Sequence, residues 1–155
     1  PQMITESVIE ANEEAKLRIF LKIQTLFDGD LEGKTISIFG VTFKPNTDDM
    51  REAPSLSIID NLLKTKVNIN VIDPKGKHFG KEMLNGVKWF DDPYEAVESS
   101  DLVLILTDWK EFADLNLKRL SSSMQTPQML DGRNLFSPAQ ALSNGFTKYL
   151  GNGRN

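Results

Sequence analysis

Cationic side chains stand in two loops that each follow a predicted strand. Lys44 lies in the loop after the strand Thr35–Phe39, and Arg133 lies after the short strand Gln128–Leu130. Lysine carries a compact charge and arginine a planar fork, and both suit phosphate oxygens. In an open parallel sheet, ligands bind beyond the carboxyl ends of the strands. Convergence of the two cations at this edge predicts a phosphate site, whereas pairing with nearby acidic side chains would make them ordinary solvated charges.

The loop after the first strand, residues 40–54, is long and carries a second cation, Arg51. Its one glycine, Gly40, does not make the G-x-G-x-x-G pattern that lets a backbone approach a dinucleotide pyrophosphate. Asp73 stands at the end of the second strand, where nucleotide-binding sheets hold a ribose. Without the glycine pattern, we interpret this Asp-Pro pair as a turn.

Two residues that flank the central predicted strand are better explained by structure than by ligand binding. Trp109 follows this strand, and we expect it to pack in the core, although an exposed tryptophan here could line a pocket. Asp101 precedes the same strand and is interpreted as a turn or cap residue.

The composition excludes several kinds of chemistry. The 155 residues contain no cysteine, so the chain has no thiol nucleophile, disulfide or cysteine metal site. The single histidine, His78, argues against a histidine metal site. A net charge of −4 excludes the basic excess of a general nucleic-acid binder. No run of 18 apolar residues predicts a transmembrane helix, and 39% hydrophobic with 26% charged residues is typical of a globular chain.

Helices and strands alternate along the chain and must position these loops. Apolar spacings of three and four predict a long helix over Ile4–Phe27, and the strongest strand, Leu102–Leu106, is apolar throughout, as strands covered on both faces are. This alternation predicts an α/β fold with a doubly wound parallel sheet. The other predicted strands are Thr35–Phe39, Val67–Ile72, Val87–Phe90, Gln128–Leu130 and Phe146–Leu150, and the other predicted helices are Leu56–Thr65, Pro93–Ser99, Leu115–Met124 and Pro138–Asn144.

The first helix has two interpretations. About 24 residues at 1.5 Å each give ~36 Å, longer than a typical globular helix. It is either a surface helix packed on the domain or a connecting helix that joins another domain or another subunit. Because residue 1 is proline rather than methionine, we expect the chain to be a piece of a longer protein.

Several stretches of the sequence carry a resemblance to a known family. They are, in chain order, Val8–Glu13, Gly40–Ser55, Asp73-Pro74, Thr107–Phe112 and Asp131–Asn134. Together they resemble the C-terminal domain of the UDP-glucose/GDP-mannose dehydrogenase family, with the first segment similar to the end of the family's central helical region. The long loop is closest to the members that act on UDP-glucose. The resemblance covers essentially the whole chain.

The resemblance implies a fold, a reaction and a cofactor. The fold would be a Rossmann-like doubly wound parallel sheet with helices on both faces. Residues 1–30 would end a central connecting and dimerisation helix, and residues 31–155 would form the UDP-sugar-binding domain. The family oxidises C6 of a nucleotide sugar to a carboxylate with two NAD⁺, through a cysteine thioester. Since this chain has no cysteine and no glycine fingerprint, both would belong to an N-terminal domain of the parent chain, and this part alone is expected to be inactive.

The resemblance also assigns residues and partners. Phe43, Lys44 and Arg133 would contact the UDP-sugar, and Arg51 would reach NAD bound by the other domain. Lys44 and Arg133 agree with the phosphate site that their charges predict, whereas the cofactor role of Arg51 rests on the resemblance alone. No residue of this chain is expected to be catalytic or to bind a metal. The parent would be a cytoplasmic homodimer of polysaccharide biosynthesis, joined through the N-terminal helix, with no nucleic-acid or membrane partner.

Other functions stay open at this level. Within the family, the substrate could be a UDP-N-acetyl-hexosamine or GDP-mannose. Outside it, the chain could be a stand-alone nucleotide-binding or regulatory module without catalysis. A third alternative is a dimerisation module built on the long helix, which would bind no ligand.

Overall fold

The computed structural model describes residues 2–42, 44–47 and 53–152, which include a sheet of six strands. The strand order is β3-β2-β1-β4-β5-β6, and every neighbouring pair is parallel. The doubly wound parallel sheet predicted from the alternating pattern is therefore confirmed. The strands are β1 (Thr35–Phe39), β2 (Asn68–Ile72), β3 (Lys88–Phe90), β4 (Leu102–Ile105), β5 (Gln128–Asp131) and β6 (Lys148–Gly151).

Seven helices lie within the described residues, and five of them match predicted helices. The sequence pattern does not predict α3 or α5, because α3 contains Gly80 and has no apolar period, and α5 is a single turn. Asp92 caps α4, since its side chain accepts a hydrogen bond from the Tyr94 N–H. The helices are α1 (Gln2–Leu26), α2 (Pro54–Leu63), α3 (Lys77–Met83), α4 (Pro93–Ala96), α5 (Lys110–Ala113), α6 (Leu117–Ser123) and α7 (Pro138–Ser143).

Two hydrophobic cores cover opposite faces of the sheet, as the two-residue alternation of strands requires. In β4, Leu102 and Leu104 pack in the first core, and Val103 and Ile105 pack in the second. All of β4 is buried, which explains its continuous apolar run. The first core includes residues of α1 and α2, and the second includes residues of α4, α5, α6 and α7.

The described part of α1 packs on the domain along one face. Ile23 is fully buried in the first core, and the Lys22 ammonium donates a hydrogen bond to the carbonyl of Gly151 at 2.9 Å, at the end of β6. Leu17 and Leu21 lie elsewhere on this helix and are 56% and 48% exposed. Both interpretations of this helix allow such packing, and its role as a connecting helix stays a prediction.

The chain direction across the sheet reverses between β1 and β4. The loop after β1 leads to α2, which packs in the first core, and the loop after β4 leads to α5, which packs in the second. The chain therefore leaves the carboxyl edge toward opposite faces of the sheet on the two sides of this position, called here the switch point. Ligands of doubly wound sheets bind at such a position.

Candidate functional site

Arg133 lies just after β5, one strand away from the switch point. Its Nη2 donates a hydrogen bond to Asp108 Oδ1 at 3.1 Å, and Asp108 follows β4. Both side chains are partly exposed, at 45% and 39%. A guanidinium has five N–H donors, so one bond to Asp108 leaves donors for a ligand.

A buried carboxylate fixes the loop that carries Arg133. Asp131 is fully buried, and its Oδ1 accepts a hydrogen bond from the Arg133 N–H at 3.2 Å. Its Oδ2 accepts from the Phe136 N–H and the Tyr149 hydroxyl, both at 2.9 Å. The Asp131 carboxylate therefore orders this loop, and it holds the backbone of Arg133, two residues further on.

The same loop is tied to both neighbouring strands. The Gly132 N–H donates to the Ile105 carbonyl at 2.9 Å, and a Cβ at Gly132 would lie 2.7 Å from that oxygen. Asn134 exchanges two hydrogen bonds with the Asn152 backbone: its Nδ2 donates to the carbonyl at 3.1 Å, and its Oδ1 accepts from the N–H at 2.8 Å. The backbone around Arg133 is thus anchored to β4 on one side and to the end of β6 on the other.

Asp73, at the end of β2, is held by four backbone N–H groups. Its Oδ2 accepts from Val41 at 2.7 Å and Thr42 at 3.2 Å, and its Oδ1 accepts from Lys75 at 2.9 Å and Gly76 at 2.6 Å. A carboxylate has about four lone-pair sites, so these donors use its acceptor capacity. The turn interpretation of Asp73 is confirmed, and its carboxylate orders the start of the loop after β1.

Gly40 allows the loops after β1 and β4 to meet. Its φ is +93°, and a Cβ there would lie 2.4 Å from the Cβ of Thr107. The Thr107 hydroxyl donates to the Thr42 carbonyl at 3.0 Å, which joins the two loops across the switch point. The glycine at the end of β1 therefore serves a contact within the chain.

The described residues at this edge do not fit a dinucleotide. Gly40 is enclosed by Thr107, and the Asp73 carboxylate has no acceptor site left for a ribose hydroxyl. A sheet that binds NAD in the usual way needs both groups. That NAD is held mainly by another part of the parent chain stays a prediction.

Lys44 is exposed and lies at the same edge, in the loop after β1. Its carbonyl accepts a hydrogen bond from the Thr42 hydroxyl at 3.0 Å. Because β4 separates β1 from β5, the loops that carry Lys44 and Arg133 leave the sheet about 10 Å apart. The fold thus brings both cations to one edge, without a contact between them. Within the described ranges, no carboxylate forms an ion pair with Lys44.

The two other residues assigned by resemblance lie outside the described residues. Phe43 falls between the described ranges 2–42 and 44–47, and Arg51 falls between 44–47 and 53–152. Their assignments to the UDP-sugar and to NAD stay predictions.

Trp109 packs in the core as the sequence predicts, whereas Asp101 is structural but does not act as the predicted turn or cap. Trp109 is 2% exposed and belongs to the second core. Asp101 accepts hydrogen bonds from the Thr35 N–H at 3.0 Å and the Thr126 hydroxyl at 2.9 Å. It therefore joins β1, β4 and the segment before β5 at the amino edge, opposite the candidate site.

A third cation, Lys16 of α1, lines a cleft at this edge and was not predicted. Its side chain is 18% exposed, and its ammonium lies 2.9 Å from Glu13 Oε1. The signal for it is helical spacing, since Lys16 precedes Ile19 and Ile23 by three and seven positions and so shares their inward face. The cleft has a volume of about 150 Å³, and its lining includes Lys16, Thr42, Ser55, Leu106, Gly132 and Arg133.

In the described part of the chain, no group of three or more histidine, aspartate or glutamate side chains is arranged to hold a metal ion. None of the helices described combines the length and the hydropathy that a membrane crossing requires.

The parallel strand order and the cationic carboxyl edge define a Rossmann-like domain suited to an anionic ligand. Comparison with known proteins identifies its family. Residues 37–138 match the model of the UDP-glucose/GDP-mannose dehydrogenase family, UDP binding domain, and the chain belongs to this family.

Curated relatives match nearly the whole chain. It is 34% identical over 154 residues to the UDP-glucose 6-dehydrogenase of Rhizobium meliloti (strain 1021), which covers 99% of this chain and 35% of the relative. It is 36% identical over 157 residues to the UDP-glucose 6-dehydrogenase of Pseudomonas aeruginosa, with 97% and 34% covered. The chain therefore spans about a third of the length of these relatives.

Solved structures share the fold. A UDP-glucose dehydrogenase from Pyrobaculum islandicum superposes with a TM-score of 0.79 at 24% identity, covering 99% of this chain and 33% of that one. A GDP-mannose dehydrogenase from Pseudomonas aeruginosa has a TM-score of 0.73 at 17% identity, with 99% and 34% covered. At these identities the similarity concerns the architecture alone.

Proposed function

We propose that this chain is the C-terminal, UDP-sugar-binding part of a UDP-glucose 6-dehydrogenase. The parent enzyme would convert UDP-glucose, two NAD⁺ and water into UDP-glucuronate and two NADH. Membership of the family and the names of the curated relatives support this proposal. Residues 31–155 would form the binding domain, and residues 1–30 would end the helix that connects it to an NAD-binding domain.

The observation that carries the proposal is the preordered arginine at the carboxyl edge. The Arg133 backbone is held by Asp131, and its guanidinium is held by Asp108. An arginine ordered before binding loses less conformational entropy when its fork meets a phosphate. Arg133 would bind the diphosphate as a fork and Lys44 as a point charge, while Phe43 would contact the same ligand.

These contacts would hold the substrate in position and would take no part in the bond changes of the reaction. Cations on the diphosphate would fix the sugar so that C6 faces the cysteine and nicotinamide site of the N-terminal domain. Arg51 would reach toward the NAD bound there. Because the chain has no cysteine, it would contribute no nucleophile and would be inactive without that domain.

We also propose that the parent is a homodimer joined through α1. Leu17 and Leu21 are exposed one helical turn apart, beside an apolar hollow that includes Leu150. A second copy of the helix would cover these side chains in a two-fold interface. By analogy with the family, the enzyme would work in the cytoplasm and serve polysaccharide biosynthesis.

Substrate profiling of the parent enzyme tests the proposal. Purified enzyme and NAD⁺ are mixed with UDP-glucose, a UDP-N-acetyl-hexosamine or GDP-mannose, and NADH is followed by absorbance. We expect UDP-glucose to give the highest kcat/KM and two NADH per sugar. A preference for another nucleotide sugar would replace the substrate assignment. If the enzyme oxidises none of the three nucleotide sugars, the result would contradict the enzyme function and favour a binding or dimerisation module.

A further inference from the structure

We infer that Asp108 is a positioning residue that directs Arg133 toward the switch point, an inference that rests on the proposed function. Asp108 follows β4, which lies between the strand that carries Arg133 and the strand that leads to Lys44. The Nη2–Oδ1 bond of 3.1 Å therefore holds the guanidinium at the loop after β4, which borders the switch point.

Asp108 is itself a fixed point because both of its neighbours are anchored. Thr107 is 1% exposed and donates to the Thr42 carbonyl at 3.0 Å. Trp109 is 2% exposed and packs in the second core. The Asp108 backbone is thus held from both sides while its side chain stays accessible at the edge.

Folding stability does not explain this ion pair. Both partners are partly exposed, and pairs of this kind add little to stability because water screens the attraction. The main consequence of the bond is to restrict the side-chain conformations of Arg133. The loops that carry Arg133 and Lys44 leave the sheet about 10 Å apart. Their side chains must therefore extend toward each other to contact one diphosphate.

The carboxylate also limits where an anion can bind. It accepts a hydrogen bond from one side of the guanidinium and repels a phosphate from that side. The remaining donors are left for the ligand, away from Asp108. Asp108 therefore acts on the ligand through Arg133, and its removal should matter only while Arg133 is present.

Calorimetric titration of the chain with UDP tests this role in Asp108→Ala and Asp108→Asn. We expect Asp108→Ala to raise the Kd by up to about fivefold, the most that a partly exposed ion pair is worth. Asp108→Asn keeps an acceptor oxygen and should stay within about twofold of the wild type. Asp91→Ala is the matched control, because it removes an ion pair of the same 3.1 Å length, with Lys77, from the loop after β3. It should leave the Kd unchanged.

A double mutant separates positioning from a general structural effect. If Asp108 acts through Arg133, Asp108→Ala should cause no further loss in an Arg133→Ala background. Thermal unfolding checks that each variant stays folded. An unchanged or lower Kd for Asp108→Ala, or the same loss in both backgrounds, would overturn the inference. A wild-type chain that binds no UDP would instead contradict the proposed function, and the inference would fall with it.

Discussion

Lys44 is the residue whose proposed role depends on charge alone. It is exposed and has no ion pair among the described residues, so its ammonium should be free to meet a phosphate. We predict that Lys44→Ala weakens binding of UDP-glucose by ~1.5–3 kcal/mol, about 10- to 150-fold in Kd. Titration calorimetry measures this loss. Lys75→Ala, at an exposed lysine after β2, is the control and should bind normally. Equal binding by both variants would contradict the assignment of Lys44.

Gly40 offers a test of how the switch point is built. In Gly40→Ala the new Cβ would meet Thr107 at 2.4 Å, in addition to the strain of a positive φ. Gly29 has a similar φ of +81° with nothing within 4 Å, so Gly29→Ala isolates the backbone strain. We predict a loss of about 1–2 kcal/mol for Gly29→Ala, and a further ~1–3 kcal/mol for Gly40→Ala from overpacking. Denaturant unfolding measures both, and equal losses would contradict the close approach of the two loops.

Residue roles could be predicted where they follow from charge and position along the chain. Lys44 and Arg133 stand after strands, and the carboxyl ends of parallel strands share an edge, so both were predictable candidates. The pairing of Asp108 with Arg133 could not be predicted, because it depends on β4 and β5 being neighbours. The saturation of Asp73 depends in the same way on how two loops fold against each other.

At the scale of elements, the exposed leucines of α1 carry the proposed dimer. We predict that the wild-type chain is dimeric and that Leu17→Glu combined with Leu21→Glu makes it monomeric, because charges on that surface cannot be buried without partners. Sedimentation velocity at several concentrations measures the change. Leu142→Glu is the control, since Leu142 of α7 is 53% exposed and lies outside the interface. A wild-type chain that stays monomeric, or a double variant that stays dimeric, would contradict the interface.

The predictability of each element depended on its own sequence signal. Strand β1 matches its prediction at both ends because an apolar, β-branched run stops at Gly40, a residue with positive φ. Helix α7 was predictable from Ser137 and Pro138, and the structure shows a capping box there. Helices α3 and α5 were not predictable from the sequence, since α3 contains a glycine and α5 has only four residues. Tertiary contacts, rather than local preference, stabilise helices this short.

At the scale of the whole molecule, alternation of strands and helices predicted the parallel sheet but not its order. The order β3-β2-β1-β4-β5-β6 sets the switch point between β1 and β4, and it decides which loops face each other. Sequence periodicity carries no information on which strands are neighbours. The site could therefore be predicted as an edge and a set of charges, whereas its internal contacts required the structure.

The most direct test of the central claim is a calorimetric titration of this chain with UDP, UDP-glucose and NAD⁺. The preordered Arg133 and the exposed Lys44 should bind the two uridine nucleotides. The enclosed Gly40 and the saturated Asp73 should leave NAD⁺ unbound. We predict heat from UDP and UDP-glucose, with weaker binding in Lys44→Ala, and no heat from NAD⁺. Binding of NAD⁺ without the uridine nucleotides, or no binding of UDP-glucose at all, would contradict the account.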